Sequence, residues 1–221
     1  MLYSSTINFI KSLGKNNNKP WFEANRNWYD TAREDFEKLV GGVILEFGKA
    51  DADIASLIAK KCVFRQYRDV RFSKDKTPYK SHMGASFDKG GKKSGLAGYY
   101  LHIEPDNKSF VGGGIWMPEA EQLKKVRQEI DYNWDEFLKI IKAPVFKKNF
   151  GDLHFGEYQL SREPKGYDKE NPAIEYLKLK SFVTGKSMKD EELLLNNLLP
   201  NITSTFKALM PLINFINRSL E

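Results

Sequence analysis

Apolar residues recur at helical spacing through the first quarter of the chain. Ile7, Phe9, Ile10 and Leu13 make one face of a short helix over 4–14, which Ser4 or Ser5 can cap and Gly14 ends. After the polar turn Asn16-Asn17-Asn18, Pro20 sits at a natural first helical position. Trp21, Trp28, Ala32, Phe36, Leu39, Val43 and Phe47 then repeat at steps of three to seven residues, which predicts one long amphipathic helix. Gly41-Gly42 lies inside that stripe. Each interior glycine costs about 1 kcal/mol against alanine, so the pair predicts a close helix crossing or a local bend. Asp51 or Asp53 is placed to cap a short helix reaching Lys60.

The period then changes. Cys62 to Tyr67 reads as a strand, Met83 to Phe87 as another, and Ala97 to Glu104 alternates strictly, with Tyr99, Leu101 and Ile103 on one face. Pro105-Asp106-Asn107 predicts a reversal into a strand over Ser109 to Trp116. Helical spacing returns at Leu123, Val126 and Ile130, and again from Trp134 to Ile141. Residues 143–171 read as irregular, Asn171-Pro172 as a helix start, Ser181 to Thr184 as an edge strand, and Asp190 to Ser219 as a helical pair broken near Pro200. Helices, then strands, then helices predict an α+β fold. Its mostly antiparallel sheet, over about 62–116, packs against the long N-terminal helix and the C-terminal helices. No repeat or linker divides the chain, so one domain over 1–221 is expected.

Composition excludes several classes. Cys62 is the only cysteine among 221 residues, so there is no intramolecular disulfide and no cysteine-rich zinc site. The start lacks the charged and long apolar regions of a secretory signal, and no stretch approaches the roughly 20 apolar residues of a membrane span. A cytoplasmic protein without a membrane partner is expected. The net charge is +6 and local. Residues 60–93 carry eleven Lys or Arg against three Asp, a segment of +8, while the rest sums to −2. A local positive field bears on partners rather than on fold.

The densest stretch runs from Arg65 to Lys80, with Arg68, Arg71, Lys74, Lys76 and Lys80 interleaved with Tyr67, Phe72 and Tyr79. Guanidinium forks suit carboxylate or phosphate, lysines add point charge, and tyrosines add a hydroxyl and a stacking face. Such a string fits a phosphate-bearing ligand or single-stranded nucleic acid. It also fits an internally paired turn, because Asp69 lies beside Arg68 and Asp75 between Lys74 and Lys76.

The string Arg-Asp-x-Arg-Phe-Ser-Lys-Asp-Lys-Thr-Pro-Tyr-Lys at residues 68–80 resembles the signature of the domain of unknown function 2461 family, found mainly in bacteria with fungal relatives. Asn17 to Tyr29 resembles that family's opening helix. Gly112-Gly113-Gly114-Ile115-Trp116-Met117-Pro118, with Leu123 and Arg127, resembles its central glycine-rich strand and helix. Pro164, Gly166, Tyr167, Pro172, Leu177 and Lys180-Ser181-Phe182 resemble its C-terminal section. The resemblance spans roughly residues 5–215 and implies one full-length domain. It supplies no reaction, cofactor or catalytic residue, but it tips the string toward ligand contact by some of Arg68, Arg71, Lys74, Lys76, Tyr79 and Lys80.

Other candidates are sparser. Gly112-Gly113-Gly114 lacks dinucleotide or P-loop spacing. It reads first as a bulged or closely packed strand, and second as backbone approaching a ligand, with Gly113, Gly114 and Trp116 as a pocket wall. His102 and Glu104 share a strand face, as a base and its orienter would, and His82 follows the basic string. The sequence offers the pair no third metal ligand, so no metal site is expected. The loop Gly90-Gly91-Lys92-Lys93 reads as a mobile, solvated tip. The leading expectation is a protein that binds an anionic ligand at 65–80. The second is an enzyme on such a ligand, using His82, His102, Glu104 or Asp75, and the third is a nucleic-acid-binding module.

Overall fold

A computed structural model describes residues 1–153 and 159–221; His154 lies outside them. The N-terminal third is helical: α1 (Ser4–Lys15), α2 (Lys19–Ala24), α3 (Arg26–Phe47), α4 (Ala52–Ala55) and α5 (Ala59–Cys62). Strands β1 (Met83–Asp88), β2 (Gly98–Ile103) and β3 (Ser109–Ile115) follow, then α6 (Ala120–Tyr132), α7 (Trp134–Lys142), α8 (Pro144–Phe150) and α9 (Ile174–Leu177). Strand β4 (Phe182–Met188) and helices α10 (Asp190–Leu193) and α11 (Leu198–Arg218) complete the chain. The sheet is antiparallel in the order β1-β2-β3-β4. The fold is α+β.

The long helix read from Pro20 is two helices. Asn25 caps both, at the end of α2 and the start of α3, with its Nδ2 donating to Trp21 O at 2.8 Å. A short amide side chain that bonds its own backbone favours such a break. Phe36, Leu39, Val43 and Phe47 are buried as expected, but Trp21 and Trp28 are only partly buried. Trp28 packs edge-on to Phe9 while its Nε1 donates to Ser5 Oγ at 2.9 Å, keeping the indole near the surface. Gly41-Gly42 does not interrupt α3. Both sit at crossings, where a Cβ would meet Ala59 at 3.9 Å and Leu199 at 3.4 Å.

Two further readings are corrected. Cys62 to Tyr67 is not a strand: Cys62 ends α5, and the β-pairing of the segment is limited to isolated bridges, Val63 to Ala85 and Tyr67 to Tyr79. The sheet gains its fourth strand from β4 instead. Within 143–171, α8 is a helix with Pro144 in its first turn, where a missing N–H costs nothing.

The core lies on one face of the sheet. Ala85, Phe87, Tyr99, Leu101, Ile103, Val111 and Phe182 point into it, against α3 and α11. Phe206 of α11 is its hub, with ring centroids 5.4 Å from Phe47, 5.4 Å from Phe87 and 4.9 Å from Tyr99. The chain reverses at Pro105 to Lys108 through Asp106 and Asn107, both at positive φ (65° and 59°), residue types that tolerate this conformation. Strand alternation turns Ser86, Tyr100, His102 and Phe110 to the opposite face, which α3 and α11 leave uncovered. Among the described residues, no helix is long and apolar enough to cross a membrane.

Candidate functional site

The basic string folds onto itself. Arg68 donates to Asp75, to the Thr77 hydroxyl and to Thr77 O at 3.3 Å, stapling the turn between them. Arg71 grips Asp69 in bidentate fashion, Nε to Oδ1 at 2.9 Å and Nη2 to Oδ2 at 2.7 Å. Lys76 Nζ donates to Val70 O at 3.0 Å, and Lys74 is exposed. Tyr79, expected at a ligand, is 1% exposed. Its ring stacks on Phe22 at 4.1 Å, and Asn17 clamps its backbone, accepting from Tyr79 N at 3.0 Å and donating to Tyr79 O at 2.9 Å. Much of the string therefore docks a loop onto α2, and Tyr79 offers no surface to a ligand.

The pairing has a titration signature. The Thr77 N–H, the Arg68 guanidinium and the Thr77 hydroxyl pull the Asp75 carboxyl down to about 2. The folded value lies below the unfolded one, so the stabilisation is present above about pH 4 and lost as pH falls through about 2. A carboxyl carbon resonance for Asp75 that titrates near pH 2 is the expected NMR result. A midpoint near 4 would show the turn unpaired.

Lys80 departs from the pattern. It leaves the turn and places its ammonium 5.0 Å from the centre of the Phe64 ring, with that of Lys92 4.7 Å from the same centre. Burial, then the repulsion of Arg65 and Lys92, lowers the Lys80 pKa. Lys92 belongs to the glycine-lysine loop expected to be a free tip. That loop is anchored: Lys92 Nζ donates to Val63 O at 2.8 Å, and Gln122 Nε2 to Gly95 O at 2.8 Å.

Phe64, Lys92 and Lys93 stand on one side of a cleft of about 960 Å³ over the uncovered face of the sheet. Tyr100 and Phe110, 5.6 Å apart, form part of its floor. Gly113, Gly114 and Trp116 lie in its lining, beside the start of α6. The glycines are there first for close packing. A Cβ on Gly113 would lie 2.9 Å from Leu209 Cδ2 of α11, and one on Gly114 1.9 Å from Phe182 O of β4. The cleft has its own acid, Asp88, which burial pushes above the usual carboxylate range while the Ser86 hydroxyl, donating at 2.7 Å, and Lys92 pull it back. Asp88 lies across Gly98, where a Cβ would meet its Oδ1 at 1.8 Å. Ser86, Asp88, Lys92, Tyr100 and Phe110 escaped the sequence reading. Alternation was the signal available, on β1 placing Ser86 with Asp88 and on β2 placing Tyr100 on the face of His102 and Glu104.

At the cleft's edge the structure gathers His82, His102 and Glu104. His102 Nε2 lies 2.9 Å from Glu104 Oε2, and the Tyr100 hydroxyl 3.2 Å from His102 Nδ1. A carboxylate only accepts, so Nε2 carries the proton and Nδ1 accepts from the phenol. His102 stacks on Phe110 at 4.8 Å, and the two imidazole centres are 4.3 Å apart. Burial, with His102 and Lys80 close by, holds His82 down to about 4, and burial lowers His102 against the opposing pull of Glu104. Both rings are neutral near pH 7 and suited to act as bases or as ligands.

No curated protein and no solved structure matches the chain. A family model described as a conserved hypothetical protein (DUF2461) matches residues 5–215 of the 221, and the chain therefore belongs to the DUF2461 family.

Proposed function

We propose that the cleft on the uncovered face of the sheet binds a small molecule carrying an anionic group and a flat ring. The observation that carries this reading is the meeting of Lys80 and Lys92 over the Phe64 ring, with the charge of Arg65 close to Lys80. Neither lysine ammonium forms an ion pair among the described residues; burial lowers both pKa values, with Arg65 and Lys92 adding to the effect at Lys80 and Arg33 at Lys92, where Asp88 pulls the other way. Unbalanced positive charge beside an apolar wall favours phosphate or carboxylate. Tyr100, Phe110 and Trp116 supply faces for a ring, as ligand clefts commonly do. The anion site thus moves from residues 68–76, whose arginines have acids of their own, to the end of the string.

Catalysis on the bound molecule is a second reading, favoured by His102 and Glu104 beside Tyr100. A nucleic-acid module is the reading the geometry supports least, because Arg68 and Arg71 are paired with acids and Lys92 and Lys93 line a cleft.

Inorganic phosphate and a nucleoside monophosphate, each compared with chloride at matched ionic strength, provide the test. Both are expected to raise Tm with concentration, the nucleotide more than phosphate. Lys80→Gln combined with Lys92→Gln should remove the shift, and Arg71→Gln should keep it. If neither anion outdoes chloride, anion binding is wrong. If Arg71→Gln abolishes the shift and the lysine variant does not, the site is the string rather than the cleft.

A further inference from the structure

We propose that His82, His102 and Glu104 form a binding site for one divalent first-row transition-metal ion. The site is independent of whether the cleft takes an anion. Pairing of β1 with β2 puts Met83 opposite Ile103, and continuing that register by one residue sets His82 against Glu104. One ligand atom from each of the three side chains lies within 4.8 Å of the others. Two imidazoles and one carboxylate are a donor set that zinc, cobalt(II) and iron(II) accept, and they leave positions for water or a substrate.

The spacing is close to that of two donors on one metal. For metal–ligand bonds of about 2.1 Å, two donors lie about 3.0 Å apart at right angles and about 3.4 Å apart at the tetrahedral angle. The observed separation of His102 Nε2 and Glu104 Oε2 is 2.9 Å. A metal between them replaces the proton they share, and His82 closes the third side by a small movement. The supports are in place as well. With the metal on Nε2 the His102 proton resides on Nδ1, which then donates to the Tyr100 hydroxyl 3.2 Å away, the kind of outer contact that orients a ligating imidazole. Gln66, 4% exposed, donates from Nε2 to His82 O at 3.1 Å and fixes the backbone that carries that ring. Lys108 approaches the other carboxylate oxygen, Oε1, at 3.7 Å and leaves Oε2 to the site. Lys80 opposes a cation here, and Glu104 is the negative charge that offsets it. Tyr100 and Phe110, which touch His102, also line the cleft, so a bound ion would sit at its edge.

The experiment uses untagged full-length protein stripped with EDTA. Zn²⁺ titrated calorimetrically should bind at one equivalent, and Co²⁺ should develop visible d–d absorption that Zn²⁺ then displaces. His82→Gln and His102→Gln, checked for folding by circular dichroism, should each weaken Zn²⁺ binding by about 100-fold or more, beyond the 10–100-fold typical of an outer contact. Tyr100→Phe should weaken it by about 10-fold, and His154→Gln should leave it unchanged. A readout free of variants guards against misfolding: Zn²⁺ should shift the imidazole nitrogen resonances of two of the three histidines in the wild-type protein. Failure to bind one equivalent overturns the site, as does binding that leaves the His82 and His102 resonances in place or survives both substitutions. Zn²⁺ binding is measured without anion and anion stabilisation without metal, so the failure of either leaves the other standing.

Discussion

Replacement of Phe206 by alanine is expected to destabilise the protein by about 3–5 kcal/mol, the range for emptying a buried aromatic site. Phe206 is 0% exposed and touches rings from three elements, Phe47 of α3, Phe87 of β1 and Tyr99 of β2. Those partners are anchored separately. Tyr99 donates its hydroxyl to Asp51 Oδ2 at 2.8 Å, and Phe87 sits inside a paired strand. They cannot readily collapse into the space, so the lost contacts are not regained. Chemical denaturation measures the change, with Phe72→Ala as the reference. Phe72 is 96% exposed, and its loss should stay within about 0.5 kcal/mol. A loss below about 1 kcal/mol at Phe206 would mean that α11 does not pack on the sheet as described.

Gly114→Ala should cost about 3 kcal/mol or more. Gly114 has φ +128°, where a side chain is strained by about 1–3 kcal/mol. The new Cβ would also meet Phe182 O at 1.9 Å and Val183 Cα at 2.8 Å. Both are backbone atoms of β4, so relief requires parting β3 from β4 rather than turning a side chain. Hydrogen exchange should quicken at the β3–β4 amides more than at the β1–β2 amides, along with the fall in denaturation midpoint. Stability within about 0.5 kcal/mol of the unchanged protein would refute the close strand approach.

These effects explain why the glycine run is structural before it is functional. Three bare residues let β3 sit tightly between its neighbours and against Leu209 of α11. The same bareness leaves space over that end of the sheet, where Trp116 follows. The cleft is in this sense a by-product of close packing, which side chains from elsewhere then furnish: Phe64 from the loop before β1 and Lys92 from the loop after it, with Lys80 over the same Phe64 ring.

What the sequence determined by itself is what depends on neighbours along the chain. A period near 3.6 specified α1, α3, α6 and α7, because an amphipathic stripe has to be buried wherever the helix lands. Strict alternation specified β2, and Asp106-Asn107 its reversal into β3, because both are matters of local backbone preference. The pairing of His102 with Glu104 was readable for the same reason, two residues apart on one strand. Tertiary structure decided the rest, because it turned on which distant segments meet. His82 joins His102 only through the register of β1 on β2. Tyr79 passes from candidate ligand contact to core because Asn17 and Phe22, about sixty residues earlier, receive it. Arg71 finds its carboxylate two residues away, whereas Lys80 and Lys92 form no ion pair among the described residues and share Phe64 instead. Composition counts every cation in a string alike; only the fold sorts those already neutralised by a neighbouring acid from those left facing a cleft.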